Sequence, residues 1–186
     1  MHVFSIYLGM PDRIINLINT EHSLIKPLQA ALSFAKRTDN EDLYNWASKE
    51  LNGYSDSSEI PSYRYTKSNI QGVIKENGHF QSVNSLPSAC FGEAHNPAQR
   101  PFLNDIAALE YLLNDDSDWI LMNIFPEDDC LNLTQKAYCN GYDLEVKSCR
   151  EFVALEDIAT ILKAIKTTLI NFIQPMGSVH PHVMVA

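Results

Sequence analysis

At Pro61 the hydrophobic period of this chain changes, and that switch limits what it can fold into. Before Pro61, apolar residues recur every three to four positions, as on a helix face. After it they alternate, as on a strand. Pro11 and Asp12 open a short helix through Ile14, Ile15, Leu17 and Ile18. Ser23 is the candidate N-cap of a second helix, "LIKPLQAALSFAKR", with Leu24, Leu28, Ala31, Leu32 and Ala35 turned to the core. Lys36 and Arg37 sit at its negative dipole end. Thr38 or Asp39 caps a third helix that closes at Asn52-Gly53, where glycine suits the left-handed C′ position. So short a joint predicts an αα-hairpin.

Past Pro61, "YRYTKSNIQGVIK" and "HFQSVNSL" flank Asn77-Gly78, a strong hairpin-turn signal. An irregular connector follows, then a helical pattern from Phe102 to Leu113 and an extended run from Trp119 to Pro126. A short helix from Pro126 through Ala137 leads to a strand, "YDLEVKSCREFV". The last helix places Ile158, Ile161, Leu162, Ile165, Leu169, Phe172 and Ile173 on one face, and Pro175 and Gly177 are expected to stop it. The expected fold is α+β, with an N-terminal helical hairpin and a long C-terminal helix packed on a small, mainly antiparallel sheet. It forms a single domain over residues 1–174, with a tail over 175–186.

Net charge is −9, from 14 basic and 23 acidic residues. That balance argues against broad nucleic-acid or anionic-membrane binding, though a local basic patch stays open. Cys90, Cys130, Cys139 and Cys149 show no CxxC spacing, which argues against a zinc knuckle. The N-terminus lacks a basic n-region, and no apolar run reaches the ~18 residues of a membrane span. The expectation is a cytoplasmic protein with reduced thiols and no membrane association. No Gly-rich phosphate loop, GxSxG elbow or HExxH motif is present, so no cofactor, resident metal or catalytic residue is expected.

Several groups invite a chemical reading, each beside a plainer one. His180 and His182 have metal-like spacing but lie in the tail without a third ligand. His79, or His95 with Glu93, could join Cys90 in a Cys/His pair; a buried, inert Cys90 is the plainer reading. The acidic runs "NDDSD" and "EDD" read as solvated loop charges and helix N-terminal carboxylates before they read as cation sites. Asp143 followed by Glu145 and Lys147 on one strand face has the form of a metal-dependent nuclease motif. The polar face of an amphipathic strand explains the same residues.

The most specific stretch is "WASKELNGY", Trp46 to Tyr54, followed by "PSYRY" from Pro61. Trp46 and Leu51 are core by spacing. Glu50 lies one turn beyond Trp46, and Arg64 is its natural bidentate partner. Tyr54 and Tyr63 could sandwich that pair, with Pro61 holding the approach rigid. These residues read as a helix-to-strand joint, structural before catalytic.

The same stretch resembles the signature of the AbiTii domain of bacterial abortive-infection systems. Trp46, Glu50, Leu51, Asn52, Gly53, Tyr54, Pro61, Tyr63 and Arg64 match it position by position. The Leu/Ala-rich helix before the motif and the closing helix around Lys166 are also similar, so the resemblance spans about residues 14 to 174. The middle, from Gly72 to Gly141, carries little that matches. The resemblance implies a role in phage defence and carries over no catalytic residue. The resulting expectation is a non-catalytic defence protein acting through protein partners or as a homo-oligomer. An excess apolar face on the last helix would be its self-association surface. The alternative is a nuclease effector using Asp143, Glu145 and Lys147.

Overall fold

A computed structural model describes residues 9–91, 100–114 and 116–177. In chain order its elements are α1 (Met10–Thr20), α2 (Ile25–Arg37), α3 (Glu41–Asn52), β1 (Tyr65–Thr66), β2 (Ser68–Glu76) and β3 (His79–Val83). Then follow β4 (Arg100–Pro101), α4 (Ile106–Leu112), β5 (Trp119–Ile124), α5 (Glu127–Cys139), β6 (Leu144–Ala154) and α6 (Leu155–Gly177). The architecture is α+β, as the change of period at Pro61 requires.

The described chain gathers into two compact units. The helical unit holds residues 9–60, 103–113 and 159–177; the sheet unit holds 61–91, 100–102, 114 and 116–158. In the helical unit α2 and α3 form the expected hairpin. Asn40, not Thr38 or Asp39, caps α3: its side-chain oxygen accepts from Leu43 N at 3.0 Å. Asp39 is unavailable because it sits at φ 51°, turning the chain between the helices. The start of α2 is served from a distance. Glu110 accepts from Leu24 N at 2.6 Å and from the Ser23 hydroxyl at 2.7 Å. Ser23 in turn accepts from Ile25 N at 3.2 Å, so the predicted cap residue works through a carboxylate on α4. Trp46 of α3 meets Phe172 of α6 with ring centroids 5.2 Å apart.

Every apolar residue predicted for the face of α6 is buried or half-buried, and α6 continues through Pro175 to Gly177. Pro175 falls in its last turn, so the helix ends without the N–H bond that this position would otherwise make to the carbonyl one turn back.

In the sheet unit β1 and β4 form a short antiparallel pair, and the main sheet has the order β3-β2-β6-β5, antiparallel throughout. Asn77 and Gly78 join β2 to β3 at φ 51° and 82°, the two positive values that a type I′ turn needs. The register slips between Val73 and Ile74 against β6, and between Leu121 and Asn123 against β6, so both pairings carry bulges. One face of the sheet is closed by α5 and the turn at Ser88–Cys90, over Ile70, Ile74, Leu86, Leu133, Leu144 and Val146.

Near the β6 bulge, α5 supplies a polar tether. The buried Thr134 hydroxyl accepts from Val146 N at 2.8 Å and donates to Cys130 O at 2.9 Å. Thr134→Val keeps the shape but strands a buried N–H, so it should cost about 1–3 kcal/mol in urea unfolding. Thr134→Ser, which restores the hydroxyl, should recover most of that loss.

Candidate functional site

Two residues of backbone decide where the signature stretch goes. At the end of α3, Gly53 adopts φ 81°, and a Cβ there would lie 2.8 Å from Leu103 O and 3.3 Å from Asp105 N. Glycine is therefore required twice, by its dihedral and by the approach of the 103–105 backbone. That approach lets Tyr54 N donate to Leu103 O at 2.8 Å. The chain then places Tyr54 back under α3, where its buried hydroxyl donates to Glu50 Oε1 at 2.8 Å. Glu50 is wholly buried, a carboxyl group one helical turn from the tyrosine that serves it. Asn52 faces outward and donates to Ser48 O at 2.8 Å, bonding back along the helix it ends. Trp46 packs on Phe172. This half of the motif is one buried polar centre with an aromatic lid.

The second half lies in the sheet unit. Pro61, at φ −62°, leads into a single 3₁₀ turn, Ser62–Arg64, where Arg64 N donates to Pro61 O at 2.9 Å. Tyr63 is half-buried on that turn. Arg64 has no exposed surface at all. Its carbonyl accepts from Phe102 N at 2.9 Å, and its guanidinium Nη1 donates to Phe102 O at 3.0 Å. Main chain and side chain of one residue thus clamp both backbone groups of another.

The acceptors at Phe102 and Leu103 are what the sequence reading missed. A helical pattern from Phe102 to Leu113 counts both carbonyls as helix-internal. The helix in fact begins at Ile106, because Asp105 caps it by accepting from Ala108 N at 2.8 Å. An Asp immediately before the apolar run that begins at Ile106 was the available signal.

The other candidates are dispersed. Asp143 is exposed before β6. Glu145 and Lys147 are ion-paired with each other at the surface. The Lys147 hydrogen bond, aided by the charges of Lys147 and Lys75, holds the Glu145 carboxyl below its ordinary range. Cys90 is fully buried and burial pushes its thiol up, whereas His79 is exposed beside the hairpin turn. Cys130 and Cys149 share the core with sulfurs 3.7 Å apart, and burial first, then the Cys130 contact, pushes Cys149 up to about 12. Such thiols are protonated and unreactive at neutral pH. Glu127, Asp128 and Asp129 occupy the first turn of α5, where the macrodipole favours them. Among the described residues no group of three His, Cys, Asp or Glu side chains could hold a metal ion. Glu93, His95, His180 and His182 lie outside the described residues.

Fold and motif together define an α+β protein whose most specific stretch buries Glu50, Tyr54 and Arg64. The AbiTii family profile matches residues 13–182, and the chain belongs to this family of abortive-infection domains, which implies a role in anti-phage defence. No curated protein and no solved structure matches it. Among the described residues no helix is long and apolar enough to cross a membrane.

Two substitutions check the buried centre. Gly53→Ala should destabilise by about 1–3 kcal/mol, since a Cβ meets both an unfavourable φ and a carbonyl. Tyr54→Phe removes one hydrogen-bond donor from a buried carboxyl group and should cost about 1–3 kcal/mol in thermal or urea unfolding.

Proposed function

We propose that this AbiTii protein acts in the cytoplasm, in abortive infection, by binding protein partners or a second copy of itself, and not by catalysis. The observation that carries this reading is the burial of the signature: Glu50, Tyr54 and Arg64 face inward and hydrogen-bond the chain itself. A motif used for framework leaves the surface to act on other molecules. On α6, Ile158, Ile161, Ile165, Leu169 and Ile173 are buried and Leu162 and Phe172 half-buried, which leaves little of that stripe exposed. The outer side of α5 is the better surface. Leu131 and Tyr138, two turns apart on one face, and Tyr142 just beyond are 54%, 52% and 53% exposed.

Light scattering at micromolar concentration tests self-association; a species larger than the monomer is expected, and Leu131→Glu should reduce it. A strictly monomeric protein that also captures no partner from infected cells would sink the proposal. Phage-challenged cultures carrying the gene should survive better than controls. Arg64→Ala should lose protection together with stability, by ~2 kcal/mol or more. An unchanged melting temperature with lost protection would instead make Arg64 a functional residue.

The nuclease alternative keeps Asp143 and the Glu145–Lys147 pair as its residues. Incubation with plasmid DNA and total RNA plus Mg²⁺ or Mn²⁺ decides it: cleavage abolished by Glu145→Ala would replace the non-catalytic reading.

A further inference from the structure

The two faces of the four-stranded sheet differ sharply. One is closed by α5. On the other, none of the described residues is buried. Residues opposite one another on neighbouring antiparallel strands share a face. Arg150 is opposite Gln71, and Phe152 is opposite Asn69 on one side and Leu121 on the other. Trp119, two residues before Leu121, is therefore the diagonal neighbour of Phe152, about 7–8 Å away. It is 46% exposed. A shallow depression in this face is lined by Gln71, Ser82, Asn84, Ser148, Arg150 and Phe152.

The charge of this face runs against that of the chain. Lys75, opposite Glu145, and Arg150 belong to it, and Lys147 reaches it through its ion pair with Glu145. Three cations meet one carboxylate there, in a chain of net charge −9. The half-buried Phe152 ring, the exposed Trp119 diagonal to it, a guanidinium two residues from Phe152 along the same strand and side-chain amides beside them suit a particular ligand. It must be anionic, flat and exposed along its edges. Unstacked bases on a phosphate chain have all three properties, and a sheet platform reaches them where it cannot read a closed duplex. An apolar protein surface would leave Gln71 and Arg150 facing nothing polar.

We propose that the open face of the β3-β2-β6-β5 sheet binds single-stranded nucleic acid, with bases stacked on Phe152 and Trp119 and a phosphate on Arg150. Gln71 is placed to hydrogen-bond a base edge beside Arg150. The acidic remainder of the chain keeps contact local, to a few nucleotides. This goes beyond the defence reading above and stands or falls separately from it.

The test is fluorescence anisotropy of a labelled oligonucleotide of about twelve nucleotides, dT or U, titrated with the full chain at about 50 mM salt. Saturable binding is expected, with a salt slope of about one to two phosphate contacts. Arg150→Glu and Trp119→Ala should each weaken it about tenfold or more. Lys136→Glu, the same change of charge on α5, should leave it unchanged. Trp119 is exposed, so its variant should keep the wild-type melting temperature and isolate binding from folding. No binding at low salt would overturn the proposal. So would full affinity in Arg150→Glu, or an oligo-glutamate peptide competing as well as the oligonucleotide, which would assign the face to acidic protein segments.

Discussion

The framework around the signature stretch depends on an approach that only a residue without a Cβ permits. Leu103 O comes close enough to accept from Tyr54 N because position 53 is empty beyond its Cα. From that contact the chain direction after α3 is fixed, and with it the place of Tyr54 beneath Glu50. Burying a carboxyl group is costly unless it is hydrogen-bonded, so the tyrosine hydroxyl is a condition of the helix end and not an addition to it.

The sheet unit shows the same logic from the side of the backbone. Phe102 is held at its N–H by the main-chain carbonyl of Arg64 and at its carbonyl by the Arg64 guanidinium, a donor-only group suited to the second contact. Phe102 and Leu103 are adjacent in sequence, and each receives one half of the signature within its own unit.

Much of this was legible beforehand. The helical hairpin, the Asn77-Gly78 turn, the strand through Glu145 and Lys147 and the buried face of α6 all follow from periodicity and turn chemistry, because those signals are local. The left-handed backbone of Gly53 was likewise available from its place at the end of α3. What could not be read was non-local. No local pattern links Glu110 to the start of α2, or Thr134 to Val146 N across the β6 bulge. Helix starts were misjudged where two polar residues compete for the cap; at Asp39 and Asn40 the backbone dihedral, not side-chain chemistry, decides.

Net charge leaves local patches open for a related reason. A value of −9 describes the whole surface, but screening confines the reach of any one charge to about 8 Å at physiological ionic strength. The acids in the first turn of α5 belong to the helix that closes the opposite face of the sheet from Arg150. Strand alternation makes the separation possible. Glu151 faces inward, buried in an ion pair with Arg100, while its neighbours Arg150 and Phe152 face outward. One strand can thus bury its acid and present its base. An acidic chain can carry a positive face of a few nucleotides' length without a basic composition.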